Sequence, residues 1–148
     1  MNKVFTNIYK IAEIISMDEQ PCLLCTIGLD GNPRTRFMAG YRIREGRSIY
    51  LITFSNSNKI TEVKKNSRVQ FILIAKDYKR ILTLNSEASI VQDVELRRKL
   101  YEEGKSSAGM FPVFDDSFGV IHIEPITAEY LEPSVSSNPV VFSLFDKN

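Results

Sequence analysis

The tetrapeptide Asp30-Gly31-Asn32-Pro33 separates two runs that alternate with a period of two. Before it, Leu23, Cys25, Ile27 and Leu29 fall on one face of an extended chain. After it, a strand over 34–43 puts Arg34, Arg36 and Met38 on one face and Phe37, Ala39 and Tyr41 on the other. Asp-Gly between alternating runs is a hairpin signal, because Gly takes the positive φ that a tight turn needs. The arrangement recurs. Arg44-Glu45-Gly46-Arg47 turns the chain into a strand over 49–54, and Lys76-Asp77-Tyr78-Lys79 joins an apolar strand over 68–75 to a long one over 80–91. A strand over 118–124 completes six, and 127–131 extends it beyond Pro125. Consecutive strands joined by tight turns pair antiparallel. The chain is therefore read as mainly β, a small closed or nearly closed barrel that leaves few exposed edges.

Helical spacing interrupts this pattern in three places. Val4, Ile8, Ile11 and Ile15 predict an amphipathic helix over 5–17, inside an N-terminal segment 1–18. Acidic and polar residues break its apolar positions, which argues against a signal peptide. Residues 58–65 form a short helix with Ile60 and Val63 inward, and Asp93 is placed to cap a helix bearing Leu96, Leu100 and Tyr101. Residues 104–116 are irregular. The Ser- and Pro-rich stretch 132–138 opens a C-terminal tail over 132–148, a loop or an arm ordered by a partner subunit. At 148 residues and 43% hydrophobic content, residues 1–148 are read as one domain with a true core. A net charge of +1 gives no field to recruit nucleic acid or a membrane surface. The longest apolar runs fall far short of the roughly 20 residues that span a bilayer, so a cytoplasmic protein is expected.

Chemistry concentrates in two segments. Arg36-Phe37-Met38 supplies a strand arginine, and Thr53-Phe54-Ser55-Asn56-Ser57-Asn58-Lys59 places hydroxyls, amides and a lysine where a helix begins. A helix start offers unpaired N–H groups and a partial positive charge. Lys59 adds a point charge, and Arg36 a planar fork of donors. Such a place suits a phosphate, and a pocket for a phosphorylated cofactor is expected. No Gly-x-Gly-x-x-Gly or Walker loop occurs, so neither a Rossmann nor a P-loop site is expected.

Other residues read more plainly. Cys22 and Cys25 are spaced Cys-x-x-Cys, but residues three apart in a strand face opposite ways, too far apart for a disulfide. They are read as small apolar residues, and no metal site is expected. His122, the single histidine, is read as a structural or dimer-surface residue. Asp115-Asp116 reads as a solvated loop and Lys64-Lys65 as a solvated helix end. Phe111 and Phe114 belong to core packing or to a cover over a ligand.

Taken in order, these pieces resemble the pyridoxamine 5'-phosphate oxidase-like, FMN-binding split-barrel family, and most closely its small general-stress-protein branch. The resemblance runs from about residue 8 to 132 through Asp30-Gly31-Asn32-Pro33, Arg36-Phe37-Met38, Ile49-Tyr50-Leu51-Ile52-Thr53, Ser57-Asn58-Lys59 and Lys65-Asn66-Ser67-Arg68-Val69. It continues through Ala88-Ser89-Ile90-Val91-Gln92-Asp93, Phe111-Pro112 with Asp115-Asp116, and Glu124-Pro125 with Ala128-Glu129-Tyr130-Leu131. It implies a six-stranded antiparallel Greek-key split barrel, and a homodimer holding FMN in clefts between subunits. By position, Arg36 and Lys59 hold the phosphate with Ser57 and Asn58 helping, while Phe37, Met38, Ile52 and Thr53 line the flavin ring and ribityl chain.

The chain departs from the family's pattern at Ser86, often Gly, and at Ile81, where the oxidases proper place a Gln. Its end, Asn138-Pro139-Val140-Val141-Phe142-Ser143-Leu144-Phe145, lacks the Arg and His with which those oxidases bind pyridoxal phosphate. The expected function is thus a flavin-dependent oxidoreductase acting on an unknown small molecule, not a true pyridoxamine phosphate oxidase. The alternatives are a non-catalytic flavin carrier or redox sensor, a barrel for haem or the deazaflavin F420, and a pure interaction module.

Overall fold

Burial alternates along the first strand, but the buried face is the one opposite Leu23, Cys25 and Ile27. The computed structural model describes residues 22–38, 41–44, 48–104 and 110–143. The helix expected over 5–17 lies outside them. Strand β1 (Cys22–Ile27) buries Cys22, Leu24 and Thr26 and leaves the residues between them half-exposed. It turns through Gly31, at φ 84°, into β2 (Pro33–Met38), as the Asp-Gly signal requires. Then come β3 (Tyr41–Arg44), β4 (Ser48–Phe54), helix α1 (Asn58–Lys65), β5 (Arg68–Ile74) and β6 (Ile81–Ile90). Helix α2 (Val94–Glu103), β7 (Phe118–Leu131) and β8 (Val140–Ser143) complete the described chain. Asp93 caps α2 as expected, accepting from the N–H groups of Glu95 and Leu96.

All strand pairs are antiparallel, in the order β2-β1-β5-β6-β7-β4-β3, with β8 added to β7. β2 and β3 stand at opposite ends of this order, yet Met38 and Tyr41 are three residue steps apart in sequence. Three steps span at most about 11 Å, so the two edges of the sheet must approach each other. No ladder joins them among the described residues, and the sheet curls without closing: the split barrel that the sequence implied.

Two details differ from the sequence reading. The single strand over 34–43 is two strands with different partners, β2 on β1 and β3 on β4. The tail contains β8, four residues paired along 127–130 of β7. These two changes turn six expected strands into eight. β7 does run through Pro125, because the register against β6 shifts there. Asn85 opposes Thr127 and Ser86 opposes Pro125, leaving Ile126 as the extra residue of a bulge. A bulge tolerates the missing N–H of proline.

The barrel interior holds one aliphatic core, including Leu24, Ile49, Leu51, Phe71, Leu73, Leu82, Leu84, Ile121 and Ile123. Ile60 and Val63 of α1 join it, so the short helix is anchored by the two residues its spacing turned inward. A second, aromatic cluster of Tyr50, Phe111, Phe118, Val120 and Leu100 lies where α2 packs on the sheet. Phe111 is therefore core, with Phe114 packed against it. Ser86 points inward, buried, and its hydroxyl donates to the Leu84 carbonyl at 3.0 Å.

Candidate functional site

The end of β4, the start of α1 and the β1–β2 hairpin converge on one cationic cluster. Thr53 is buried at the end of β4. Four residues on, Ser57 occupies the N-cap position of α1 in extended conformation, but its side chain makes no capping bond. Its hydroxyl instead lies 3.3 Å from Thr53 Oγ1. Lys59 Nζ donates to the same Thr53 oxygen at 2.8 Å. Lys59 forms no ion pair with any described residue. A lysine in the first turn also opposes the helix dipole. Burial pushes its ammonium below the usual lysine range, and the nearby Arg36 charge pushes the same way, with Glu62 opposing both. The two cations named from the sequence thus share one electrostatic neighbourhood.

Arg36 is held by a group that sequence reading did not single out. Its Nη2 donates to Glu62 Oε1 at 2.7 Å, and its Nη1 to Thr26 Oγ1 at 2.7 Å. Thr26 in turn donates to the same Glu62 oxygen at 3.0 Å. Arg34, two residues along β2 and on the same face, brings Nε to within 3.3 Å of Glu62 Oε2. Both Glu62 and Thr26 are buried. Register explains the meeting, since Leu24 faces Arg36 and Thr26 faces Arg34 across the β1–β2 ladder. Glu62 follows Lys59 by three residues, one helical turn, so α1 presents both toward the hairpin. The signal in the sequence was its place between the inward residues Ile60 and Val63.

The remaining predicted residues sit in varied places. Asn58 is exposed and borders a hollow of about 310 Å³ with Leu29, Asp30, Arg34, Thr61 and Glu62. Phe37 projects from the opposite face of β2 from Arg36 and is 71% exposed. Met38 is buried in the aliphatic core, and Ile52 packs against the aromatic cluster. β2 ends the sheet order, so its outer edge pairs with no described strand. Gly119 of β7 supports the region from behind: a Cβ there would meet the Thr53 carbonyl at 2.9 Å and Ser55 N at 3.0 Å. A larger hollow, about 500 Å³, lies over Cys25, Ile27, Gln70, Asn85 and Thr127 and is lined by neither Arg36 nor Lys59. Neither residue lines the smaller hollow either; what Arg36 and Lys59 share is nearness of charge, since the Arg36 guanidinium acts on the Lys59 ammonium.

Cys22 and Cys25 are both free; Cys22 lies in the aliphatic core, where burial pushes its thiol up to about 12, and Cys25 is half-buried. Among the described residues no cluster of His, Cys, Asp or Glu is arranged to hold a metal. His122 is half-buried, stacked on Tyr50, with Nε2 3.1 Å from Ser48 Oγ. Asp115 is exposed, and hydrogen bonds from Ser117 hold its carboxyl below the usual range. Lys64 and Lys65 lie in the last turn of α1, favourably placed against the dipole.

The family model described as "Pyridoxamine 5'-phosphate oxidase like" matches residues 6–147. The chain belongs to this family. Solved structures agree in fold. A protein related to general stress protein 26 from Clostridium acetobutylicum is 15% identical with a TM-score of 0.78, covering 95% of this chain and 96% of that one. General stress protein 26 from Bacillus anthracis is 26% identical with a TM-score of 0.71, covering 93% and 98%. A heme binding protein from Mycobacterium smegmatis is 15% identical with a TM-score of 0.70, covering 92% of this chain and 57% of that one. No curated protein matches. Among the described residues of this family member no helix is long and apolar enough to cross a membrane.

Proposed function

We propose that this member of the pyridoxamine 5'-phosphate oxidase-like family binds FMN and serves as a flavin-dependent oxidoreductase for a small molecule. The carrying observation is Lys59. It stands at a helix start, half-buried, without an ion pair among the described residues, and beside a second cation. An arrangement that costs stability in the free protein is relieved by an anion. The groups present suit a phosphate ester. Arg36 and Lys59 supply charge, while the hydroxyl of Ser57 and the amide of Asn58 lie at the same helix start.

Beyond the phosphate, Phe37, Met38, Ile52 and Thr53 would by family position line a ribityl chain and ring; Phe37 is the exposed one of the four, while Met38 and Thr53 are buried and Ile52 is half-buried. The exposed Phe37 ring leaves apolar surface in water until a ring system or a second subunit covers it. We infer a homodimer whose subunits share the ligand. Bound flavin supplies hydride or electron transfer, and the protein supplies orientation and electrostatics. No histidine belongs to the Arg36–Lys59 cluster, so proton transfer falls to water or substrate. The stretch 138–145 has none of the Arg and His by which the resemblance has a true pyridoxamine phosphate oxidase bind its substrate, so that substrate is not assigned.

The test is direct. Purified protein should show flavin absorbance or acquire it on mixing with FMN, and FMN should raise its melting temperature more than riboflavin, which lacks the phosphate. Equal effects of FMN and riboflavin would remove the phosphate site. No effect of either would remove the flavin reading, and a Soret band would replace it with haem.

A further inference from the structure

Glu62 is buried, ionisable and on the wrong side of the charge balance for a site that recognises anions. Its exposure decides what it does. The Glu62 side chain is 4% exposed, the Arg36 side chain above it 24%, and Arg34 54%. An incoming anion therefore meets guanidinium before carboxylate. Glu62 does not compete for that anion from the front; it binds the arginines from behind. Oε1 accepts from Arg36 and Thr26, and Oε2 faces Arg34. Thr26 also accepts from Arg36, closing a ring of three side chains that fixes the plane of the guanidinium. A long arginine otherwise loses about 2 kcal/mol of rotamer freedom when it is immobilised.

We propose that Glu62 is a positioning residue for the phosphate site. Arg36 Nη1 is taken up by Thr26 and by the Leu24 and Arg34 carbonyls at 3.4 and 3.3 Å, so Glu62 pre-orders the group with Nε and the second Nη2 hydrogen left to receive a phosphomonoester together with Lys59. The inference rests on the FMN reading above and deepens it. It explains why a short helix spends one of its inward positions on a carboxylate.

Glu62→Gln keeps the shape and removes the charge. The preference for FMN over riboflavin, as a ratio of dissociation constants by fluorescence titration, should fall about tenfold, one charge-assisted hydrogen bond's worth. Riboflavin affinity alone should not move. Glu62→Asp, which keeps the charge but draws it back from Arg36, should lose part of the preference. In an Arg36→Ala background, Glu62→Gln should have no further effect on the ratio, because Glu62 acts through Arg36. An unchanged ratio in folded Glu62→Gln overturns the proposal. So does a parallel loss of both ligands. If Glu62→Gln does not fold, an undiminished ratio in Glu62→Asp overturns it equally. A wild-type protein that binds FMN no better than riboflavin would instead overturn the phosphate site itself, a separate result.

Discussion

Around Glu62, one buried carboxylate is gripped by Arg34, Arg36 and Thr26, with Lys59 alongside. Around His122, on the other side of the same sheet order, a ring stacks on Tyr50 at 5.0 Å and shares one hydrogen bond with Ser48. The two constellations contrast in cost. Withdrawing an ion pair from water is expensive, and well-packed apolar residues of similar size often do as well or better for stability. A stacked ring with a hydroxyl partner is ordinary half-buried packing. Charge kept at that cost is the feature on which the proposed phosphate site rests. The single histidine attracts the eye in the sequence, but the expensive chemistry lies at Glu62.

The contrast breaks most sharply at Arg36. Arg36→Ala leaves Glu62 buried with a poorer set of partners, and should lower unfolding free energy by about 3 kcal/mol. It should also weaken FMN by about 30- to 100-fold through the lost charge-assisted bonds. Chemical denaturation and ligand titration read the two effects separately. A stability loss with FMN affinity intact would make the network purely structural.

Gly119→Ala tests whether the Thr53–Ser57 segment is held in place from β7. The added Cβ would press on backbone, the Thr53 carbonyl at 2.9 Å and Ser55 Cα at 3.0 Å, with no flexible side-chain end to yield. Overpacking of this kind should cost about 2 kcal/mol. FMN affinity should fall with it, since the end of β4 must move. Destabilisation without any change in affinity would separate β7 from the site.

Lys59 sharpens the comparison because its two effects should have opposite signs. Its folded-state proton affinity is lowered, chiefly by burial and then by Arg36. Below the ordinary lysine pKa the unfolded chain holds this proton more tightly, so the charge works against folding. That handicap fades as pH rises through the depressed folded-state value toward the ordinary one. Lys59→Met should therefore leave the free protein as stable, or raise it by about 0.5 kcal/mol through the removed dipole conflict. FMN affinity should fall about tenfold with the lost charge. Destabilisation of the free protein by Lys59→Met would contradict the account of Lys59 as a strained ligand group.

Much of this was readable from the chain. Local rules placed the Asp30-Gly31 hairpin, the Asp93 cap and Lys59 at a helix start, because each depends on neighbours within a turn. What escaped depends on distance. Residues 34–43 carry a lone Gly40 between β2 and β3, a weak break signal without an Asp-Gly or Asn-Gly pair, and the division shows in their different partners. β8 is four residues behind a Ser- and Pro-rich stretch, and exists through its pairing with β7. Glu62 stands between the inward residues Ile60 and Val63, but no local rule buries a carboxylate there. Its burial is decided by Arg36, 26 residues away, and Thr26, 36 away.

The smallest effect belongs to the other constellation. Ser48→Ala removes the hydroxyl partner of His122 Nε2 and leaves the Tyr50 stack intact. Ser48 and His122 are both half-buried, so water can replace the lost partner. The cost should be about 0.5–1 kcal/mol, within the range of a single neutral hydrogen bond. FMN affinity and the FMN-to-riboflavin ratio should not change. A selective loss of FMN in Ser48→Ala would join the two constellations into one site and move His122 from packing into ligand binding. A null result there, beside a collapsed ratio in Glu62→Gln, would confine phosphate recognition to the meeting of α1 with the β1–β2 hairpin.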